Sequence, residues 1–70
     1  MNLVTITKEP VELYKILKFE GLASSGAEAK IAISEGRVSV NGKRETRKRR
    51  KIVSGDTIDF AEMTLKIRLM

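Results

Sequence analysis

The chain has 70 residues and a mass of 7.8 kDa, room for one domain whose core supplies only about 3–5 kcal/mol of net stability. It contains no cysteine and no histidine, which excludes disulfides, thiolate or imidazole zinc sites, and Cys–His or Ser–His–Asp nucleophile systems. The net charge of +5 is gathered in one place: Lys43, Arg44, Arg47, Lys48, Arg49, Arg50 and Lys51 are opposed there only by Glu45, so this stretch carries +6 and the rest of the chain −1.

At 41% hydrophobic and 33% charged, the composition is that of a folded chain. No apolar run approaches the roughly 20 residues that cross a bilayer. The opening Met1–Thr7 has neither the basic region nor the apolar stretch of a secretory signal, so a cytoplasmic location is expected.

From Leu3 to Thr7 apolar and polar residues alternate, with Val4 and Ile6 on one side, which predicts a short strand. Pro10 suits the first turn of a helix, and Glu9 and Glu12 suit the positive end of its dipole. Leu13, Ile16 and Leu17 recur at helical spacing until Gly21, predicting a first helix of about ten residues with Lys15 and Lys18 on its solvated side. Ser25-Gly26-Ala27-Glu28 has the form of a capping box, and Ala29, Ala32 and Ile33 continue a second helix that Gly36 ends.

The period then changes to two. Arg37-Val38-Ser39-Val40 precedes Asn41-Gly42, the strongest short-range hairpin signal, with the return strand at Lys43-Arg44-Glu45. The basic segment leaves that hairpin directly, and Ile52-Val53 brings the chain back. Ser54-Gly55-Asp56 predicts a turn, Thr57–Phe60 a strand with Ile58 and Phe60 inward, and Leu65, Ile67 and Leu69 the inward side of a last strand. The expected fold is α+β: two N-terminal helices packed on a small antiparallel sheet, one domain over residues 1–70, the first strand pairing with the last.

A block of like charges stays solvated unless a polyanion neutralises it. Nucleic acid does so efficiently, because each neutralised phosphate releases counterions. DNA, anionic lipid and an acidic protein partner are the alternatives; lipid lacks the apolar wedge or lipidation signal that stable anchoring needs.

Three segments, Leu22–Lys30, Ser34–Gly42 and Val53–Ile58, resemble the RNA-binding domain named after small-subunit ribosomal protein S-four, over about Val11 to Phe60. The telling part is Glu35-Gly36-Arg37-Val38-Ser39-Val40-Asn41-Gly42, with Gly55-Asp56 following thirteen residues after the turn. The Ser-Gly start of the second helix and the basic run after the hairpin are similar to those of the small stand-alone YbcJ-like members. The resemblance implies that helices and hairpin form an αL motif that docks on structured RNA, ribosomal or transfer RNA, without catalysis, as a monomer, with an enzyme or the ribosome as possible company. Related domains place a basic residue after the helix-starting Ser; Gly26 stands there in this chain, so that contact does not carry over as a side chain.

The expected RNA-binding face comprises Lys30, Arg37, Lys43, Arg44, Arg47, Lys48, Arg49, Arg50 and Lys51, with Lys43 and Arg44 emerging beside Arg37. Aromatic platforms look sparse: Tyr14 lies at the edge of an apolar face, Phe60 is expected in the core, and so is Phe19, with exposure as its alternative. Recognition then rests on phosphates and RNA shape. Asp56 and Asp59, the nearest approach to a carboxylate pair, point to opposite faces of a strand, and Asp56 suits the turn. No catalytic residue, metal site or cofactor is expected.

Overall fold

The structure, a computed structural model, describes residues 2–70. In chain order its elements are β1 (Asn2–Ile6), β2 (Val11–Glu12), α1 (Leu13–Phe19), α2 (Gly26–Ser34), β3 (Val38–Val40), β4 (Lys43–Glu45), β5 (Lys51–Ile52), β6 (Thr57–Phe60) and β7 (Met63–Leu69). Five strands form one sheet in the order β1-β7-β6-β3-β4, and β2 with β5 forms a separate two-stranded ladder.

Strand alternation puts one face of the sheet under the helices. Val4, Ile6, Val38, Val40, Ile58, Leu65 and Ile67 are buried with Leu13, Ile16 and Leu17 of α1, Ala29 and Ile33 of α2, and Ile52, in one core. Leu69, expected inward, is 38% exposed at the end of β7. The first and last strands pair as expected, but in parallel, with Val4 opposite Ile67 and Ile6 opposite Leu69. The sheet is therefore mostly rather than wholly antiparallel. A parallel neighbour needs a long crossover, and everything between these two strands supplies it.

The first helix differs from its sequence pattern. It has seven residues, and Pro10 precedes it instead of sitting in its first turn. Val11 and Glu12 are extended and pair with Ile52 and Lys51. The physical reason lies in the return chain: pairing with β5 satisfies backbone groups that a longer helix would have had to satisfy itself, and it seats Ile52, fully buried, in the core. The second helix starts as expected, the Ser25 hydroxyl accepting from the Glu28 amide at 3.1 Å. That half of the capping box is the one present among the described residues.

Asn41 (φ 53°) and Gly42 (φ 84°) make the hairpin turn. The Asn41 side chain donates to Asp56 Oδ1 at 3.0 Å and accepts from the Thr57 amide at 2.9 Å, tying this turn to the one after β5. Gly36 ends α2 at φ 77°, and a Cβ there would lie 2.8 Å from Cδ of Arg44. Gly36→Ala is therefore expected to cost about 1–2 kcal/mol of stability from backbone strain alone. Gly26→Ala, whose Cβ would meet Tyr14 and Lys18 only at 3.7 Å and beyond, is expected to gain about 0.4–1 kcal/mol. Equilibrium denaturation of the two variants checks both signs.

Candidate nucleic-acid interface

Between β4 and β5 the basic segment bends round the N-terminal end of α1. The amides of Leu13 and Tyr14, first-turn donors with no intrahelical acceptor, donate to the carbonyl oxygens of Arg50 at 2.9 Å and Lys48 at 3.2 Å. The Arg50 amide donates to the Arg47 carbonyl at 3.2 Å and closes a turn within the segment. The segment is thus a collar fixed by its own backbone, not a free loop. Cations at a helix N-terminus are disfavoured by its dipole, and two glutamates offset this.

Glu45, on the helix side of edge strand β4 and 7% exposed, accepts from Arg47 Nε at 2.9 Å and from Arg50 Nη1 at 3.5 Å. A carboxylate so buried needs charged donors, so these two arginines serve as its counterions. Glu12 accepts from Arg49 Nη1 at 3.0 Å and pairs with Lys15 at 3.3 Å. The Arg49 hydrogen bond holds the Glu12 carboxyl below its ordinary value, partial burial opposing it and Lys15 reinforcing it; the same bond raises Arg49 above its own. Arg37 faces Glu35 at 3.5 Å.

Lys30, Lys43, Arg44, Lys48 and Lys51 have no carboxylate partner among the described residues. The nine expected residues accordingly fall into groups. Lys30 and Arg49 meet at Tyr14, whose ring centre lies 4.6 Å from Lys30 Nζ and 5.4 Å from Arg49 Cζ, with Lys15 at 6.0 Å. Arg47, Arg49, Arg50 and Lys51 line one open hollow, about 460 Å³ in volume. Arg47 and Arg50 continue into a second, of about 420 Å³, with Lys43, Arg44 and Glu45. Of Lys43 and Arg44, both expected beside Arg37, Arg44 alone shares its face of the sheet: the two are consecutive in β4, Lys43 in register with buried Val40 and Arg44 with Ser39. The Arg44 stem lies against Gly36, next to exposed Arg37.

Sequence reasoning missed two members of this surface. Tyr14 looked like the edge of an apolar stripe, and Glu12 like a partner of the helix dipole; nothing in the sequence joins Glu12 to Arg49, 37 residues away. Phe19 was expected in the core but is 70% exposed, since α1 ends there and its apolar face is already complete with Leu13, Ile16 and Leu17. It lines a hollow of about 530 Å³ beside β1 and α1. Asp56 is turn chemistry, accepting from the Val53 amide at 3.0 Å, and Asp59 accepts from the Thr64 hydroxyl at 2.7 Å.

The family model described as S4 domain matches residues 4–68, a span that takes in most of β1 and most of β7. YbcJ of Escherichia coli strain K12 and YbcJ of Shigella flexneri are each 52% identical over 68 residues, 96% of this chain and 97% of theirs. The solution structure of the E. coli protein, which revealed an αL motif involved in RNA binding, superposes with a TM-score of 0.74 at 51% identity, covering 97% of this chain and 87% of that one. The two helices and mostly antiparallel sheet are the same fold.

Because the folded Glu12 value is depressed, the stabilisation from its contact with Arg49 is in place at neutral pH and is lost as pH falls through that lowered value. A carbon-detected NMR titration is expected to place the Glu12 midpoint below the ordinary glutamate value. In Arg49→Ala the midpoint should move up; an unmoved midpoint would mean that the contact is not formed in solution.

Proposed function

The chain belongs to the S4 domain family, and from that premise we propose that it is a non-catalytic protein that docks on structured RNA, ribosomal or transfer RNA, through the basic face of α2, the hairpin and the collar. One observation carries the reading: the seven cations within nine residues sit on backbone fixed by hydrogen bonds, β4 on β3, the collar on the start of α1 and β5 on β2, so their charge is not dispersed in a mobile tail. Fixing the backbone beforehand spares binding much of the ordering cost, about 1–2 kcal/mol per residue for a flexible segment. The relatives support RNA over other polyanions, since the αL motif of E. coli YbcJ is one involved in RNA binding.

The cations do two different jobs. Arg44, Lys48 and Lys51, free of carboxylates, offer their whole charge to phosphates, whereas Arg47 and Arg50 must share theirs with Glu45. Arginine still adds geometry there, because its planar fork can donate to a carboxylate and a phosphate at once.

Arg44→Gln, Lys48→Gln and Lys51→Gln combined leave every carboxylate pair intact. The triple variant is expected to bind a stem-loop RNA with a slope of log affinity against log salt shallower by about two to three. Fluorescence anisotropy across a salt series measures it, and an unchanged slope removes these three cations from the interface. Duplex DNA and acidic liposomes as competitors test the polyanion: displacement of the RNA by either at equal charge concentration would favour a general polybasic module.

A further inference from the structure

We propose that Tyr14 is a positioning residue of this face: its ring holds Lys30 of α2 and Arg49 of the collar together as one seat for a phosphate group. The inference rests on the RNA-docking reading of the same surface and adds the group that organises it and the chemistry it accepts.

Tyr14 is half-buried and packs against the core from α1. Its ring also lies against the start of α2, where a Cβ on Gly26 would stand 3.7 Å from Cε2. Three segments distant in sequence therefore meet at one ring. Lys30 Nζ at 4.6 Å and Arg49 Cζ at 5.4 Å are both inside the range in which the negative ring face attracts a cation. Two cations brought this close repel one another. A carboxylate between them would remove the repulsion and the charge alike, as Glu45 does for Arg47 and Arg50. The neutral ring reduces the repulsion and leaves the Lys30 charge whole, while Arg49 shares part of its own with Glu12.

The other charged groups at the ring are Glu12 and Lys15, and they are engaged with each other and with Arg49 Nη1. Lys30 has no carboxylate partner among the described residues, and Arg49 spends only Nη1 on Glu12, with the Tyr14 side chain as a further hydrogen-bonding neighbour of its guanidinium. A compact ammonium and a guanidinium fork held at one ring suit a tetrahedral anion with several acceptor oxygens. They do not suit a base stacked on the ring, whose attraction the cations already use.

The test reads the seat with inorganic pyrophosphate and the face with a stem-loop RNA. NMR of the Lys30 Cε–Hε and Tyr14 ring signals is expected to show saturable pyrophosphate shifts in the wild type and, equally, in Tyr14→Phe, which keeps the ring. Tyr14→Leu, which keeps the apolar packing, is expected to bind both probes about five- to thirtyfold more weakly, the range expected for losing two cation–ring contacts. In a Lys30→Gln background the same change should cost only about two- to fivefold, since the contact with Arg49 alone is left to lose; amide spectra confirm that each variant is folded. Full affinity in Tyr14→Leu, an equal loss in Tyr14→Phe, or losses that simply add to that of Lys30→Gln would overturn the proposal. If the wild type takes pyrophosphate here but ignores the stem-loop, the RNA reading fails and the seat stands; if it binds the stem-loop while these signals stay still, the seat fails and the RNA reading stands.

Discussion

Two hydrogen bonds, from the amides of Leu13 and Tyr14 to the carbonyl oxygens of Arg50 and Lys48, decide where this protein's charge is displayed. A helix leaves its first-turn donors without internal partners, and a strongly basic strand of chain is a poor place to look for acceptors, because its side chains repel the dipole those donors create. The chain meets the difficulty by turning the segment's carbonyls inward and its cations outward. The β2–β5 ladder anchors the collar's far end, and buried Ile52 gives that ladder a reason to form.

Two acids make the arrangement tolerable. Glu45 is buried beneath the segment and engages two arginines; Glu12 does the same at the rim for Arg49 and Lys15. Only Glu45 is buried; Arg47 and Arg50 reach it from the surface and give its carboxylate the donors it needs there, so they are structural as well as electrostatic. The face presented to a polyanion is consequently graded: some cations are committed to internal carboxylates, some are free, and two are steadied by an aromatic ring.

Local signals were read well from sequence because their causes are local. The Asn41-Gly42 turn needs positive φ at both positions, Gly36 and Gly21 end helices for the same reason, and the Ser25 cap spans three residues. The resemblance through Asn41-Gly42 and Gly55-Asp56 acquires a physical basis, since Asn41 and Asp56 are hydrogen-bonded to each other. What escaped was set by partners far along the chain. Pro10 looked helical until β5 claimed Val11 and Glu12, Phe19 looked buried until α1 proved short, and Tyr14 looked peripheral because the cations that meet it come from α2 and the collar. Of the expected face, the concentration of charge was legible; its division between committed and free cations was not, because that depends on where Glu45 and Glu12 end up.

The parallel pairing of β1 with β7 has a consequence for the order in which the chain folds. Asn2 lies opposite Leu65, roughly sixty residues on, the kind of long-range contact that slows folding. Until it forms Val4 and Ile6 have no sheet to join, while α1, α2 and the β3–β4 hairpin can already assemble from nearby sequence. The helical hairpin and its β-turn neighbour should thus condense before the N-terminal strand is locked in place.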